Sequence, residues 1–177
     1  MIYYMTVNTC IHCQKCISRM FNMGRKIEIG AGNIMSDIVI VLPRIFNKEY
    51  KEQLMKDIKA IWLEITGCNI LEQSYITYDI KCSRLNPYGI DKTANICCNK
   101  ILNEELSRVP YQYILVLGRA IYTVFPNTDH KKYITDGYRH IIWFSEFKSN
   151  SNYDKQALKD FLSKAINWII SMKMKIT

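Results

Sequence analysis

The sequence lacks an apolar run long enough to cross a membrane. A membrane span needs about 18 consecutive apolar residues, whereas apolar stretches such as Ile38–Pro43 and Tyr113–Leu117 have the length of a β-strand. The first residues also lack a basic segment followed by an apolar one, so we expect no signal peptide. The sequence therefore predicts a cytoplasmic protein that does not bind membranes.

Glycine and proline are also scarce, with 7 and 4 residues in a chain of 177. Since 49% of the residues are hydrophobic and 23% are charged, the composition excludes a disordered tail, a collagen-like fibre and a flexible linker. A chain of this length corresponds to about one domain, and it can bury roughly 70% of its unfolded surface. We expect a single domain over residues 1–177.

The chain has no excess of acidic residues. Lys and Arg number 24 against 16 Asp and Glu, which gives a formal net charge of +8. A basic folded surface attracts polyanions through phosphate contacts and counterion release, so nucleic-acid binding is expected. The most basic local stretch contains no acid, and its basic residues are Lys15, Arg19, Arg25 and Lys26.

Cysteine, in contrast, is abundant, with seven residues. In a cytosolic protein such cysteines favour a metal site over disulfides. The segment Cys10–Cys16 contains two overlapping C-x-x-C pairs, a spacing compatible with zinc, an iron–sulfur cluster or redox chemistry. Cys82 and Cys98 can supply two further ligands, and we expect Cys68 to be a small buried hydrophobic residue. Neighbouring helical residues point about 100° apart, so we expect only one of Cys98 and its neighbour Cys97 to bind a metal.

Predicted strands and helices alternate along the chain. Apolar and β-branched runs predict strands at Asp37–Leu42, Ser74–Ile80, Tyr111–Leu117 and His140–Phe144. Helices are predicted at Cys13–Met23, Asn47–Leu63, Ala94–Val109, Gly118–Phe125 and Asp154–Met172, and a turn is predicted at Gly30–Asn33. This alternation predicts an α/β fold with a mainly parallel sheet.

Several segments occur in the order found in one protein family. They are the C-x-x-C start at Cys10–Cys16, the Gly-Ala-Gly-Asn turn at Gly30–Asn33 with the apolar strand Ser36–Val41, the strand Tyr75–Cys82, Cys98 four residues before Leu102, and Leu117–Ala120. In these features the chain resembles the iron–sulfur uracil-DNA glycosylases, the family 4 branch of the uracil-DNA glycosylase superfamily. The resemblance covers about residues 10–125. It implies a three-layer α/β/α domain with a central, mainly parallel four-stranded sheet.

The resemblance also implies a 4Fe-4S cluster held by four cysteines. Cys82 and Cys98 correspond directly to the family's ligands. The distance along the chain to Cys82 favours Cys10 and Cys13 as the other pair, whereas the distance to the glycine turn favours Cys13 and Cys16. A structural zinc ion on the same ligands is the alternative. Such a cluster is taken to shape a loop that faces DNA.

Four catalytic segments of that family are missing from this chain. The glycine- and glutamate-containing motif after the first strand is replaced by Leu42–Phe46, and the segment with the uracil-stacking Phe is absent from Asn47–Ile58. Tyr78 stands where the family has the Asn that reads uracil, and Ile142–Ser145 replaces the His-Pro-Ser motif, with His140 displaced onto a strand. Losing one such stabilising group costs about 10²–10³-fold in rate. We therefore expect no uracil excision of the usual kind.

The expected function is that of a non-catalytic DNA-binding protein that assists replication or repair, together with a polymerase, primase or helicase. A basic groove with aromatic side chains suits single-stranded DNA, and the chain has 12 Tyr, 6 Phe and 3 Trp. The residues predicted to contact DNA are Lys15, Arg19, Arg25, Lys26, Arg44, Arg84, Arg119, Trp143 and Phe144. The sequence leaves two alternatives open: a divergent active glycosylase that excises uracil or another base, and a subunit that binds only other proteins.

Overall fold

The computed structural model describes residues 29–45, 47–81, 92–125, 133–136, 139–145, 147 and 153–174. The helices are α1 (Lys48–Thr66), α2 (Ile70–Gln73), α3 (Lys92–Leu106), α4 (Ala120–Val124) and α5 (Lys155–Met174). The strands are β1 (Ala31–Gly32), β2 (Ile38–Leu42), β3 (Tyr75–Tyr78), β4 (Tyr113–Leu117), β5 (Tyr133–Asp136) and β6 (Arg139–Phe144). The helix predicted at Cys13–Met23 lies outside the described residues.

The strands form one mixed sheet in the order β1-β3-β2-β4-β6-β5. The four inner strands are parallel to one another, and they are the four predicted from the sequence. The two outer strands, β1 and β5, pair antiparallel with their neighbours. The α/β class is confirmed, whereas the count of four strands is wrong, because short antiparallel strands extend the sheet at both edges.

Helices cover both faces of the sheet. The β2 residues Ile38, Ile40 and Leu42 belong to a core that includes side chains of α1 and α5. The alternate residues Val39 and Val41 pack on the other side with side chains of α3 and α4. Successive side chains of a strand point to opposite faces, so β2 is buried throughout, as its apolar sequence predicted.

The ends of α1 follow from its flanking residues. The Asn47 side chain accepts a hydrogen bond from the amide of Tyr50 at 2.9 Å, which caps the helix at its first turn. Gly67 ends the helix in the left-handed region at φ 69°, where glycine carries no steric cost. The helix thus ends three residues later than predicted, because the apolar pattern stops at Leu63 whereas the terminating glycine lies at position 67.

None of the helices in the described residues is long and apolar enough to cross a membrane. Their apolar side chains instead face the sheet, as the two core clusters show.

Candidate functional site

The carboxyl ends of the parallel strands form the candidate site. From β2 the chain continues to β3 on one side, then returns past β2 to β4 on the other side. Open α/β sheets bind their ligands at this kind of reversal, outside the carboxyl ends of the strands. Four charged residues follow these strands, and we call them the carboxyl edge: Arg44 after β2, Asp79 and Lys81 after β3, and Arg119 after β4.

Asp79 ties the ends of β2 and β3 together. Its carboxylate accepts hydrogen bonds from the amides of Arg44 at 2.7 Å and Ile80 at 2.8 Å, and its own amide donates to the Leu42 carbonyl at 3.0 Å. Burial raises the pKa of Asp79 to about 6, although these hydrogen bonds and the positive charges of Arg119 and Lys81 act in the opposite direction. A buried carboxyl group that titrates near neutral pH is typical of functional sites, although structural residues also show such shifts.

The two arginines of the carboxyl edge differ in exposure. Arg44 is buried, with 4% of its surface exposed, whereas Arg119 is half-buried. The Nε atom of Arg119 is buried and has no hydrogen-bond partner among the described residues. Because Arg119 is only half-buried, part of its side chain remains accessible to a ligand at the edge.

The turn that carries Arg119 is held in place by its neighbours. Gly118 adopts a φ of 55°, and a side chain at that position would collide with the carbonyl of Phe147. The indole Nε1 of Trp143 donates a hydrogen bond to the Gly118 carbonyl at 2.8 Å. Trp143, which is half-buried, thus supports the β4–α4 turn from its position on β6.

A buried ion pair lies beside the carboxyl edge. Lys81 is fully buried and pairs with Glu105 of α3. The Glu105 carboxylate also accepts hydrogen bonds from the Gly30 amide at 2.8 Å, the Tyr75 hydroxyl at 2.5 Å and the Thr77 hydroxyl at 2.8 Å. Burial lowers the pKa of Lys81, and the attraction to Glu105 partly opposes this effect.

Asp79, Lys81 and Glu105 are three site residues that were not predicted from the sequence. Glu105 lies between Leu102 and Leu106, two buried residues of α3, and this position on the apolar face of a helix could have revealed it. Asp79 and Lys81 directly follow a predicted buried strand, which is where functional residues of parallel sheets occur.

Cys98 is the one proposed cluster ligand in the described residues. It is completely buried. The ion pair between Glu105 and Lys81 brings α3, which carries Cys98, close to the chain segment that leads into Cys82. Cys10, Cys13, Cys16 and Cys82 lie outside the described residues. Within the described part of the chain, no group of three or more His, Cys, Asp or Glu side chains could hold a metal ion.

Cys68 corrects one prediction. It was expected to be buried, but it is exposed, because it lies in the short surface connection between α1 and α2.

Phe144 corrects a second prediction. It was expected to contact DNA, but it is 8% exposed and stacks on Phe161 of α5 with ring centroids 4.7 Å apart. Its position on β6 directs its side chain into the core shared with α1 and α5. Of the other predicted DNA contacts, Lys15, Arg19, Arg25, Lys26 and Arg84 lie outside the described residues.

Tyr78 and His140 also occupy structural positions. Tyr78 is half-buried against the core, with the Lys51 ammonium 4.4 Å from its ring centroid. His140 lies at the start of β6, opposite Tyr113 at the start of β4, and stacks on the Tyr113 ring at 5.4 Å. It is therefore at the amino ends of the strands, so it cannot act at the carboxyl edge as a replacement for the family's catalytic His.

The comparisons with known proteins do not identify a family for this chain. No protein-family model matches it, and no curated protein matches it either.

Proposed function

We propose that this protein binds single-stranded DNA through the carboxyl edge and serves as a non-catalytic accessory subunit in replication or repair. Its scaffold would be a divergent form of the iron–sulfur uracil-DNA glycosylase fold. Its partner would be a DNA polymerase, primase or helicase. The sequence resemblance motivates the scaffold and the partner class, while the charged residues of the carboxyl edge support the DNA-binding role.

The observation that carries the proposal is that two arginines, Arg44 and Arg119, lie at the switch point of the sheet. They follow the adjacent strands β2 and β4, with Asp79 as the nearby carboxylate. The charge of Arg119 acts on the Asp79 carboxylate, and the whole protein carries a net charge of +8. Half-buried Arg119 is suited to contact a phosphate directly.

The absence of catalysis is supported by the segment after β2. The resembled family carries its water-positioning carboxylate there, whereas this chain has Pro43, Arg44 and Ile45, all of which are buried. The backbone of this segment is tied to Asp79 through the Arg44 amide. The segment itself therefore contains no carboxylate that could activate water.

The decisive experiment compares two arginine substitutions in a single-stranded DNA binding assay. Arg119→Gln removes one charge from the carboxyl edge, and Arg108→Gln removes one exposed charge near the opposite ends of the strands. Fluorescence anisotropy with labelled oligo-dT should show about tenfold weaker binding for Arg119→Gln, because a hydrogen bond to a charged group contributes roughly 1.5 kcal/mol.

The salt dependence provides a second measurement in the same assay. Each phosphate contact on a single strand contributes about 0.7 to the slope of log affinity against log salt. We expect Arg119→Gln to reduce this slope by about that amount, and Arg108→Gln to leave it unchanged. Equal effects of the two substitutions, or no salt-dependent binding by the wild type, would refute the proposed site.

One observation favours a second candidate, a divergent active glycosylase. Asp79 is a buried carboxyl group beside Arg119 with its pKa raised to about 6, and such groups can act as general acids or bases. Turnover on uracil or another damaged base, measured by trapping abasic products, would support this candidate if Asp79→Asn abolished it. Lack of product on the whole substrate panel would leave the non-catalytic proposal standing.

The cofactor belongs to the same proposal. We infer that Cys98 and Cys82, with two of Cys10, Cys13 and Cys16, hold a 4Fe-4S cluster, or a zinc ion in the alternative. The support from the structure is the burial of Cys98 and the ion pair that joins α3 to Lys81, the residue before Cys82. When bound, the cluster would pin α3 to the segment after β3.

A further inference from the structure

A groove of about 530 Å³ lies at the amino ends of the strands, between the last turns of α1 and α5. Its lining includes the buried side chains Trp62, Ile166 and Ile169. The indole Nε1 of Trp62 donates to the side-chain oxygen of Gln73 at 2.8 Å. This polar group of the floor therefore already has a partner within the fold, and the apolar surface open to a ligand comes from the less buried lining residues Ile65, Ile170 and Met35.

The rim of this groove exposes two large apolar side chains. Met35 is 73% exposed and Ile170 is 43% exposed, and both line the groove. Apolar side chains that adjoin an apolar depression extend the surface whose burial would be favourable. A small molecule within the depression would not cover this rim, whereas a polypeptide segment would cover both floor and rim.

The charges on the rim indicate the chemistry of that segment. Lys173 is paired with Asp37 at 2.6 Å, so neither needs an external partner. Glu72 also lines the groove, is exposed and forms no ion pair within the described part of the chain. One carboxylate is therefore available on the rim of an otherwise basic protein, and it would attract a cationic side chain.

From these observations we propose that the groove docks a short amphipathic segment of a partner protein. The segment carries large apolar residues with helical spacing and a Lys or Arg that reaches Glu72. A second copy of the chain is a poorer occupant, because two bodies of charge +8 repel each other. The groove is lined by Asp37 and by Ile38, the first residue of β2, whereas Arg44 lies beyond the last residue of that strand. Five strand residues, or about 17 Å, separate the two ends, so DNA and the partner can bind at once.

A random dodecapeptide display library is the probe for this groove. The library is first depleted of peptides that bind the Ile170→Asp variant. The remaining peptides are then selected for binding to the wild-type chain. We expect enriched peptides with two or more large apolar residues spaced three or four apart, together with a Lys or Arg. Lack of a consensus, or a consensus rich in acidic residues, would overturn the proposal.

Synthetic copies of an enriched peptide then allow a quantitative comparison by fluorescence anisotropy. Ile170→Asp should weaken binding at least tenfold, whereas Leu63→Asp should not, since Leu63 is an exposed apolar residue of α1 outside the groove lining. Glu72→Lys should weaken the Lys-containing peptide and strengthen a version that carries Glu in place of that Lys. Equal effects of Ile170→Asp and Leu63→Asp would show non-specific adsorption and refute the site.

Two further outcomes identify other occupants. Sedimentation velocity that shows a wild-type dimer, converted to a monomer by Ile170→Asp, would assign the groove to a second copy and overturn the partner proposal. Saturation by a small apolar dye that peptide cannot displace would assign it to a small molecule. Each result is independent of the DNA-binding assay, so failure here leaves the proposed function intact.

Discussion

Glu105 is one carboxylate that connects three parts of the fold. It accepts hydrogen bonds from Gly30 before β1 and from Tyr75 and Thr77 of β3, while it belongs to α3 and pairs with Lys81. A buried charge is tolerated only when it is paired and fully hydrogen-bonded. Each partner of this pair therefore depends on the other for its place in the interior.

Substitution of Glu105 by Gln should destabilise the protein strongly. The change leaves the buried Lys81 ammonium without its counter-charge, which costs about 3–5 kcal/mol in the free energy of unfolding. Urea denaturation measures this cost, and Glu104→Gln at the adjacent exposed position is the matched control, with an expected change within about 0.5 kcal/mol. The double variant Lys81→Met/Glu105→Gln should regain part of the loss, because no unpaired charge remains. Equal stability of Glu105→Gln and Glu104→Gln would contradict this account.

Asp79 should make stability depend on pH. Its pKa is about 6 in the folded protein against an ordinary 3.8, so the folded state binds the proton more tightly than the unfolded state. The stability that this proton provides is present below pH 4 and is lost as the pH rises through 6, by up to about 3 kcal/mol. Asp79→Asn keeps an oxygen acceptor for the Arg44 and Ile80 amides but does not titrate.

The measurement is the free energy of unfolding of wild type and Asp79→Asn between pH 4 and 7. The wild type should lose stability relative to the variant across this range, and other titrating groups cancel in the difference. A difference that stays constant with pH would show that Asp79 titrates normally in the folded protein.

At the scale of elements, the edge strand β1 depends on close backbone approach. It contains two residues and pairs with β3, so neighbouring contacts must hold it in place. Gly30 precedes it, and a Cβ atom there would lie 2.6 Å from the Ile76 carbonyl oxygen and 2.7 Å from a Glu105 oxygen. Glycine is therefore required at position 30 because a larger residue would collide with its neighbours, and not because of the backbone conformation.

Alanine substitution at two glycines should separate the cost of crowding from the cost of a left-handed backbone. Gly30→Ala forces β1 away from β3 and α3, and we expect a loss of more than about 2 kcal/mol. Gly67→Ala, at the end of α1, meets no atom within 4 Å, so only the left-handed backbone costs energy, about 1 kcal/mol. Urea denaturation of both variants measures the difference, and equal losses would argue against tight packing at Gly30.

For the whole molecule, the two ends of the parallel strands have different chemistry. The carboxyl edge carries Arg44 and Arg119, and the amino end carries the apolar groove with Glu72 on its rim. Since ligands of opposite charge suit the two ends, we expect DNA and a protein partner to occupy separate surfaces. The proposed accessory role needs such a division, because the protein would hold both at the same time.

The proposed ligand assignment requires that metal binding depend on the buried Cys98 and not on the exposed Cys68. We expect Cys98→Ala to lose its metal and to unfold more easily, since a cluster ligand contributes to folding. Cys68→Ala is the matched control and should retain the metal, because Cys68 is exposed between α1 and α2. Metal analysis after anaerobic purification measures the loss, and visible absorbance distinguishes an iron–sulfur cluster from zinc. Full metal content in Cys98→Ala would refute the ligand assignment.

Local patterns in the sequence predicted most of the regular structure. The runs at Asp37–Leu42 and Tyr111–Leu117 became buried parallel strands, because a strand covered on both faces must be apolar throughout. β1 was interpreted as a turn, since a two-residue strand with a glycine has no periodicity of its own. Of the site, Arg44 and Arg119 were named from the sequence, but Phe144 was assigned to DNA although its side chain faces the core.

The sequence by itself determined the α/β class, the four inner strands, the basic charge and the list of cysteines. These follow from composition and periodicity, which act over a few residues at a time. Only the tertiary structure decided that Asp79 joins Arg44, that Glu105 pairs with Lys81, and that an apolar groove lies at the amino end of β2. Those contacts join segments distant in the chain, and burial in a shared core, not local preference, brings them together.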